Sequence, residues 1–354
     1  MLISRNSVSL SLSSSCRQVL MIGNYWMNNN YHHHNQHVSS LRQSSSMMKQ
    51  SLSFFSTLES HDKDHHHDNN KEKKRMALIM GVANQRSLAW HCALHLSQTF
   101  PQSYDHIILT YQNERFRNNV QALIEKNNDQ ITTNRIPMSC MECNVMDESS
   151  LDNLFDKQIS NLQINDNMEL QTLIHSIAYA PAEAMGKEHC SLMTSTTQEA
   201  FRIAHEVSSY SFLRVTQKAH PYMINGHDNN NNNNNNSSIT CLTYLGSSKA
   251  VPNYNIMGPA KASLEAMVRG LALELGSTGT RVNAVSAGPI ATLAAKGGIA
   301  NFQTLRDESL QRNMLRRHIT PQEVAQAVSF LSSPQASGIT GQVLFVDGGY
   351  SVHG

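Results

Sequence analysis

The sequence lacks an apolar run of the roughly 20 residues needed to cross a bilayer, so no membrane span is expected. It also lacks charge of one sign. Lys plus Arg number 28 against 27 Asp plus Glu, a net charge of +1, which gives no general attraction to nucleic acid or to an acidic partner. No basic face or basic amphipathic helix stands in the core region either. Cysteine is sparse, at positions 16, 92, 140, 143, 190 and 241, with a single C-x-x-C at Cys140 and Cys143 that has no partner pair. No zinc or other metal site is expected, and all six read as reduced thiols. The histidine runs at 32–34 and 65–67 sit in polar low-complexity sequence and read as linker.

Acidic residues are missing altogether before Glu59, while Arg5, Arg17, Arg42 and Lys49 stand in sequence dominated by Ser, Asn and His. Basic, Ser-rich and acid-poor composition suits a mitochondrial presequence or a plastid transit peptide. Apolar pieces such as residues 19–23 are too short for a secretory core. Residues 1–75 are therefore expected to be a targeting leader and disordered linker, and the alternative is a tail with no address.

Residues 76–354 read as one α/β domain. Residues 76–80 form an apolar run of strand length, Gly81 makes a turn, and Ser87 opens an amphipathic helix. A buried strand feeding a helix N-terminus suits a dinucleotide pyrophosphate, because free N–H groups and the helix dipole face the anion. The usual G-x-G-x-x-G is nevertheless absent, replaced by Gly81-x5-Ser87-x-Ala89. Further strands are expected at 106–111, ending at 143–145, at 170–176, 239–244, 281–286 and 342–346. Helices are expected between them, including 114–126 and about 197–218, the latter carrying Phe201, Ala204, Val207, Phe212 and Val215. Thr320-Pro321-Gln322-Glu323 is a capping box with proline at the first helical position, starting a helix over 323–331. Seven strands alternating with helices predict a doubly wound parallel sheet with its site at the strand carboxyl ends. Eight consecutive asparagines, 229–236, mark a polar insertion at 226–238.

Chemistry concentrates in residues 241–276. Tyr254 and Lys261 are seven apart, so a helix with about 3.6 residues per turn puts both on one face. The helix is expected from Asn255 or Ile256, with Pro259 tolerated in its first turn and Gly276 as its stop. Ala262, Leu264, Ala266, Met267, Leu271, Leu273 and Leu275 form the expected apolar stripe, leaving Glu265 and Arg269 for water. A phenol ionises near pH 10 unless a cation such as the Lys261 ammonium helps. Such a pair polarises a substrate carbonyl, and Tyr244 could add a second O–H. Taken alone, two tyrosines and a lysine at this spacing are equally compatible with packing and a solvated charge.

The segments LTYLG, NYNIMGPAKASLEA and RVNAVSAGPIATLAA resemble the enoyl-acyl-carrier-protein reductases, the Tyr-x6-Lys branch of the short-chain dehydrogenases. Gly258 occupies the place where the commoner Tyr-x3-Lys spacing would need lysine. The resemblance implies a Rossmann-type, seven-stranded single domain with Tyr254, Lys261 and Tyr244 catalytic, and Tyr244, Tyr254 and Ala180 at the substrate. It further implies cofactor contacts from Gly81, Ser87, Leu88, Gln112, Asn144, Val145, Ser176, Ile177, Lys261, Ile290, Thr292, Leu293 and Ala294. Asn144 departs from the family's usual Asp, and Ala178 from a common Gly. Gln112 is neutral where an acid would bind the ribose 2'-hydroxyl and an arginine a 2'-phosphate, so NADH is expected, with NADPH as the alternative through Arg115 or Arg117. The implied reaction is reduction of a trans-2-enoyl thioester on acyl carrier protein or coenzyme A. A homo-oligomer, expected to be a tetramer by the resemblance of its SSYSF helix, and a flap at 295–317 follow from the same likeness. A ketoreductase of the same fold and a catalytically silent NAD-binding protein are the remaining alternatives.

Overall fold

The computed structural model describes residues 73–129, 136–185, 191–223 and 237–353. The leader up to residue 72, both histidine runs, Cys16, Cys190 and the asparagine tract lie outside these. The strands are β1 (Lys74–Met80), β2 (His106–Tyr111), β3 (Met138–Glu142), β4 (Met168–His175), β5 (Ser238–Thr243), β6 (Arg281–Ala287) and β7 (Val343–Val346). They form one seven-stranded sheet in the order β3-β2-β1-β4-β5-β6-β7. Every pairing is parallel. The chain winds outward from β1 to β3, then returns to lay β4 on the other side of β1, which opens a crevice between the carboxyl ends of β1 and β4.

Alternation along β1 decides which layer each side chain enters. Ala77 and Ile79 pack with α1 (Leu88–Thr99), α2 (Glu114–Asp129) and a helix near the C-terminus, Pro321–Ser332. Met76, Leu78 and Met80 face the opposite layer. That layer begins with α3 (Glu148–Asp152), a π-helical run Asn153–Ile159 and α4 (Ser160–Asp166), which follow one another without a break. Two short helices come next, α5 (Ala182–Met185) and α6 (Leu192–Ser195). Then α7 (Gln198–His205), a π-helical run Glu206–Tyr210 and α8 (Ser211–Met223) form one continuous rod. The layer is completed by α9 (Met257–Leu275). The remaining helices are α10 (Leu293–Gly298), α11 (Phe302–Arg312) and α12 (Pro321–Ser332).

Several expectations change in detail. β1 starts two residues earlier than expected, and Ser237 and Ser238, counted in the insertion, are buried, with Ser238 opening β5. β3 stops at Glu142, so Cys143, Asn144 and Val145 lie in the turn beyond it. Phe201 is exposed. The expected flap contains α10 and α11. Cys92, Cys140, Cys143 and Cys241 are free thiols. The Thr320–Glu323 capping box forms with Pro321 at the start of α12.

The largest correction concerns α9. Its buried face runs through Met257, Ala260, Lys261, Leu264, Glu265, Val268, Leu271, Ala272 and Leu275. Ala262, Ala266 and Leu273, placed in the apolar stripe, are exposed, and Glu265, assigned to water, is inside. Two polar residues therefore share the apolar face, which shifts the stripe around the helix. Gly276 keeps right-handed geometry, and the left-handed stop falls at Gly279, φ 76°, after a short 3-10 turn.

Candidate active site

The carboxyl ends of the strands bring most of the sequence-selected residues together. Gly81 follows β1 at φ +94°, and a Cβ there would lie 2.2 Å from the Ser176 carbonyl oxygen beyond β4. Only glycine permits so close an approach. Ser87 is the N-cap of α1, but its Oγ accepts from the Ala83 and Asn84 amides at 3.1 Å each instead of capping the helix. The first N–H groups of α1 therefore keep no side-chain partner, and no acidic residue stands in its first turn. That is the arrangement an anion uses. Leu88 packs beside this turn.

Gln112 is exposed just past β2. Of the neighbouring arginines, Arg117 pairs with Glu114 and Arg115 lies over the Phe116 ring. The Asn144 amide donates to Ser150 Oγ at 2.9 Å, while its side-chain oxygen accepts from the Met146 amide at 3.2 Å. Its carbonyl already serves the turn. Val145 and Ile177 pack against the lower core. The Ser176 amide donates to the Met80 carbonyl at 3.2 Å, tying the two strand exits together. Ile290 is buried after β6, and Thr292 caps α10 by accepting from the Ala295 amide at 3.1 Å. Its own hydroxyl hydrogen stays available to a ligand. Leu293 and Ala294 are exposed at the start of α10.

The two phenols meet, but Tyr254 does not share a helix face with Lys261 as its spacing suggested. Tyr254 precedes α9, in a loop where it is flanked by left-handed Asn253, φ 61°, and Asn255, φ 36°. Asn253 Nδ2 donates to the Ala300 carbonyl at 3.1 Å and Asn255 Nδ2 to the Ala184 carbonyl at 3.2 Å. Both asparagines were missed in the sequence, where an NYN triplet carries only the general turn tendency of asparagine. The Tyr244 and Tyr254 ring centroids are 4.7 Å apart at 61°, edge to face. Ala180 packs against the same small cluster. Gly246 makes the contact feasible, since a Cβ on it would lie 2.2 Å from Tyr254 Cδ1, and one on Gly258 would lie 2.9 Å from the Gly246 carbonyl oxygen.

The Lys261 Nζ donates to the Leu242 carbonyl at the end of β5, at 2.8 Å, and is buried. Burial pulls its ammonium down to about 8, against smaller opposing effects from Cys241 and Glu265. Both phenols move up instead of down. Burial raises Tyr254 first, then Tyr244 and Glu265; Tyr244 is raised by burial, Tyr350 and Asp347. Lys261 is therefore not what sets the ionisation of Tyr254: burial and the neighbouring Tyr244 and Glu265 all raise it, so the phenol stays a neutral donor, as does Tyr244. The Tyr244 hydroxyl is buried without a hydrogen-bond partner. A turn fitted to a close backbone approach, an uncapped helix N-terminus, an orphaned phenol hydroxyl and a buried ammonium at the same strand end fit a dinucleotide and a carbonyl-bearing substrate.

Fold and site define a dinucleotide-binding oxidoreductase frame with a Tyr, Tyr, Lys cluster. A family model described as enoyl-(acyl carrier protein) reductase matches residues 81–351. The enoyl-[acyl-carrier-protein] reductase [NADH] FabI of Bacillus subtilis (strain 168) is 37% identical over 278 residues, covering 78% of this chain and 96% of the relative. A crystal structure of the NADH enoyl-[acyl-carrier-protein] reductase from Aquifex aeolicus VF5 superposes with a TM-score of 0.66 at 34% identity, covering 80% of this chain and 98% of that one. The Anaplasma phagocytophilum enzyme, solved in complex with NAD, gives a TM-score of 0.65 at 34% identity over 80% of this chain and 95% of its own. The chain belongs to the enoyl-acyl-carrier-protein reductase family.

Gly246→Ala is expected to push the Tyr254 ring from its place, lowering turnover on an enoyl thioester by at least ~10-fold while NADH binding changes little. Steady-state kinetics beside NADH fluorescence titration check this, and unchanged turnover would show that the ring position is not needed.

Proposed function

We propose that this chain is the NADH-dependent enoyl-acyl-carrier-protein reductase of fatty acid biosynthesis, reducing the C2=C3 bond of trans-2-enoyl thioesters. The observation that carries the reading is the contact between Tyr244 and Tyr254, 4.7 Å apart, with the Tyr244 hydroxyl buried and unpartnered. The relatives are NADH-dependent reductases acting on the same carrier.

When bound, NADH supplies a hydride to the β-carbon of the thioester, which moves negative charge onto the thioester oxygen as an enolate. Tyr254 donates a hydrogen bond to that oxygen as a neutral phenol, and Tyr244 positions the thioester or shares the bond. Lys261 holds the nicotinamide ribose and places its positive charge near the developing anion. The α-carbon then takes up a proton, completing a two-electron reduction. Gly81, the α1 N-terminus and Ser87 lie against the pyrophosphate. Gln112, Asn144 and Val145 line the adenosine end, and Ser176, Ile177, Ile290, Thr292, Leu293 and Ala294 line the nicotinamide end. Ala180 borders the acyl chain.

The chain is further proposed to act as a homotetramer. Leu344 and Phe345 are 37% and 40% exposed on the edge strand β7, and Phe201 and Tyr210 are exposed along the rod of α7 and α8. Import into a mitochondrion or plastid by the first 75 residues is proposed from their composition alone.

Tyr254→Phe is expected to lower kcat on trans-2-enoyl thioesters by roughly 10²–10³-fold with NADH affinity nearly intact, whereas Lys261→Ala weakens both. Oxidation of NADH with enoyl and 3-ketoacyl thioesters side by side checks this, and activity on the ketoacyl substrate alone would move the assignment to a ketoreductase. Sedimentation of the purified protein should give four times the chain mass, and a monomer would end the tetramer proposal. A fluorescent protein fused behind residues 1–75 should enter an organelle, and uniform cytosolic signal would leave the leader without an address.

A further inference from the structure

Glu265 lies one helical turn beyond Lys261 on the same buried face of α9, with 9% exposure. Its Oε1 accepts a hydrogen bond from Thr243 Oγ1 at 2.7 Å. The Lys261 ammonium is buried on the same face, and a buried charge is disfavoured without one of opposite sign nearby. The Leu242 carbonyl satisfies one donor of Lys261 but does not balance its charge.

The groups around this pair come from every element packed against α9. β4 supplies His175, whose imidazole burial and then Lys261 push down to about 3, leaving it neutral. β5 supplies Cys241, held as a thiol because burial pushes it up to about 12. Tyr244 and Tyr254 are neutral phenols, both raised by burial. Asp347 faces Tyr244, and its carboxylate accepts from the Gly349 and Ser351 amides. β6 supplies Arg281, whose guanidinium is committed to the Leu331 and Ser333 carbonyls. On the rod, Glu206 pairs with Arg202, and Ser209 bonds Ser263 of α9. Among the described residues, Glu265 is thus the carboxylate on the same buried face of α9 as Lys261, one turn along, favouring the ammonium at a distance and not through a direct ion pair.

We propose that Glu265 is a positioning residue for the reaction, its carboxylate serving as the internal counter-charge that keeps buried Lys261 an ammonium. The inference deepens the reductase reading and rests on it for the role of Lys261. Thr243 orients the carboxylate, so the end of β5 holds both members, Lys261 through the Leu242 carbonyl and Glu265 through the next residue's hydroxyl.

The test compares the full chain with Glu265→Gln, which keeps an acceptor for Thr243 and removes only the charge. NADH binding, read by fluorescence, and NADH oxidation with a trans-2-enoyl thioester are each followed against pH. Loss of the Lys261 proton, which burial pulls down to about 8, is expected to set the upper limb in the native chain. Removing a negative charge makes Lys261 lose its proton at lower pH, so the limb moves down. A downward shift of about one pH unit is expected in both profiles. A limb that stays in place, even with reduced turnover, would overturn the counter-charge role and leave Glu265 a structural acceptor. Should Glu265→Gln fail to fold, Lys261→Met combined with it removes both charges. Recovered cooperative thermal unfolding then supports the pairing, and continued failure overturns it. Native turnover decides the reductase reading separately: its absence would sink that reading, while the binding profile still tests Glu265.

Discussion

The site depends on a hydrogen bond from the Lys261 ammonium to the Leu242 carbonyl, at 2.8 Å and shielded from water. A strand's last carbonyls ordinarily find partners on a neighbouring strand. Here β5 carries one of them to a helix, which fixes how α9 lies across the sheet. That approach requires the turn after β5 to press on the first turn of α9, and Gly246 and Gly258 supply the room. Tyr254 then has nowhere to lie except against Gly246 and the Tyr244 ring. Three side chains of the candidate site are placed by one backbone oxygen and two missing methyl groups.

The electrostatics of the same region follow from dryness. Burial is the largest of the effects that drive His175, Cys241 and both phenols to their neutral forms, whatever side of neutrality they start from. Neutral groups are good donors and acceptors without competing for the charges that matter. The result is a low-dielectric pocket in which positive potential is confined to one lysine, the condition under which a developing oxyanion gains most from it.

The parallel sheet was legible because a buried strand such as β1 reads as a continuous apolar run over 76–80, and because turns and caps such as Gly81 and Thr320-x-x-Glu323 have local chemistry. Tyr244, Tyr254 and Lys261 were legible through spacing and resemblance. Their mechanics were not. Spacing suggested a shared helix face for Tyr254 and Lys261, whereas two left-handed asparagines lift Tyr254 off the helix altogether. Glu265 was assigned to solvent because a glutamate is rarely buried, a rule that fails where a neighbouring cation is buried too. Periodicity ranks residues by their own polarity and has no means of registering such a partner. The serines of SSYSF likewise gave no hint of their bonds: Ser208 holds the Tyr179 amide and carbonyl, and Ser211 holds His175.

Those serines lie in or beside the π-helical run Glu206–Tyr210, where the rod carries a wider turn than its neighbours. Ser208 and Ser209 are set by that wider turn, while Phe212 follows it and packs edge-on to His175. Loss of one residue there would rotate everything downstream by about 100°, swinging Phe212 and Val215 out of the core. This rod therefore has a fixed length in a way that the loops do not. The chain's eight-asparagine expansion falls in the sequence between Met223 and Ser237, after the rod has ended, where a change in residue count leaves the phase of every helix untouched.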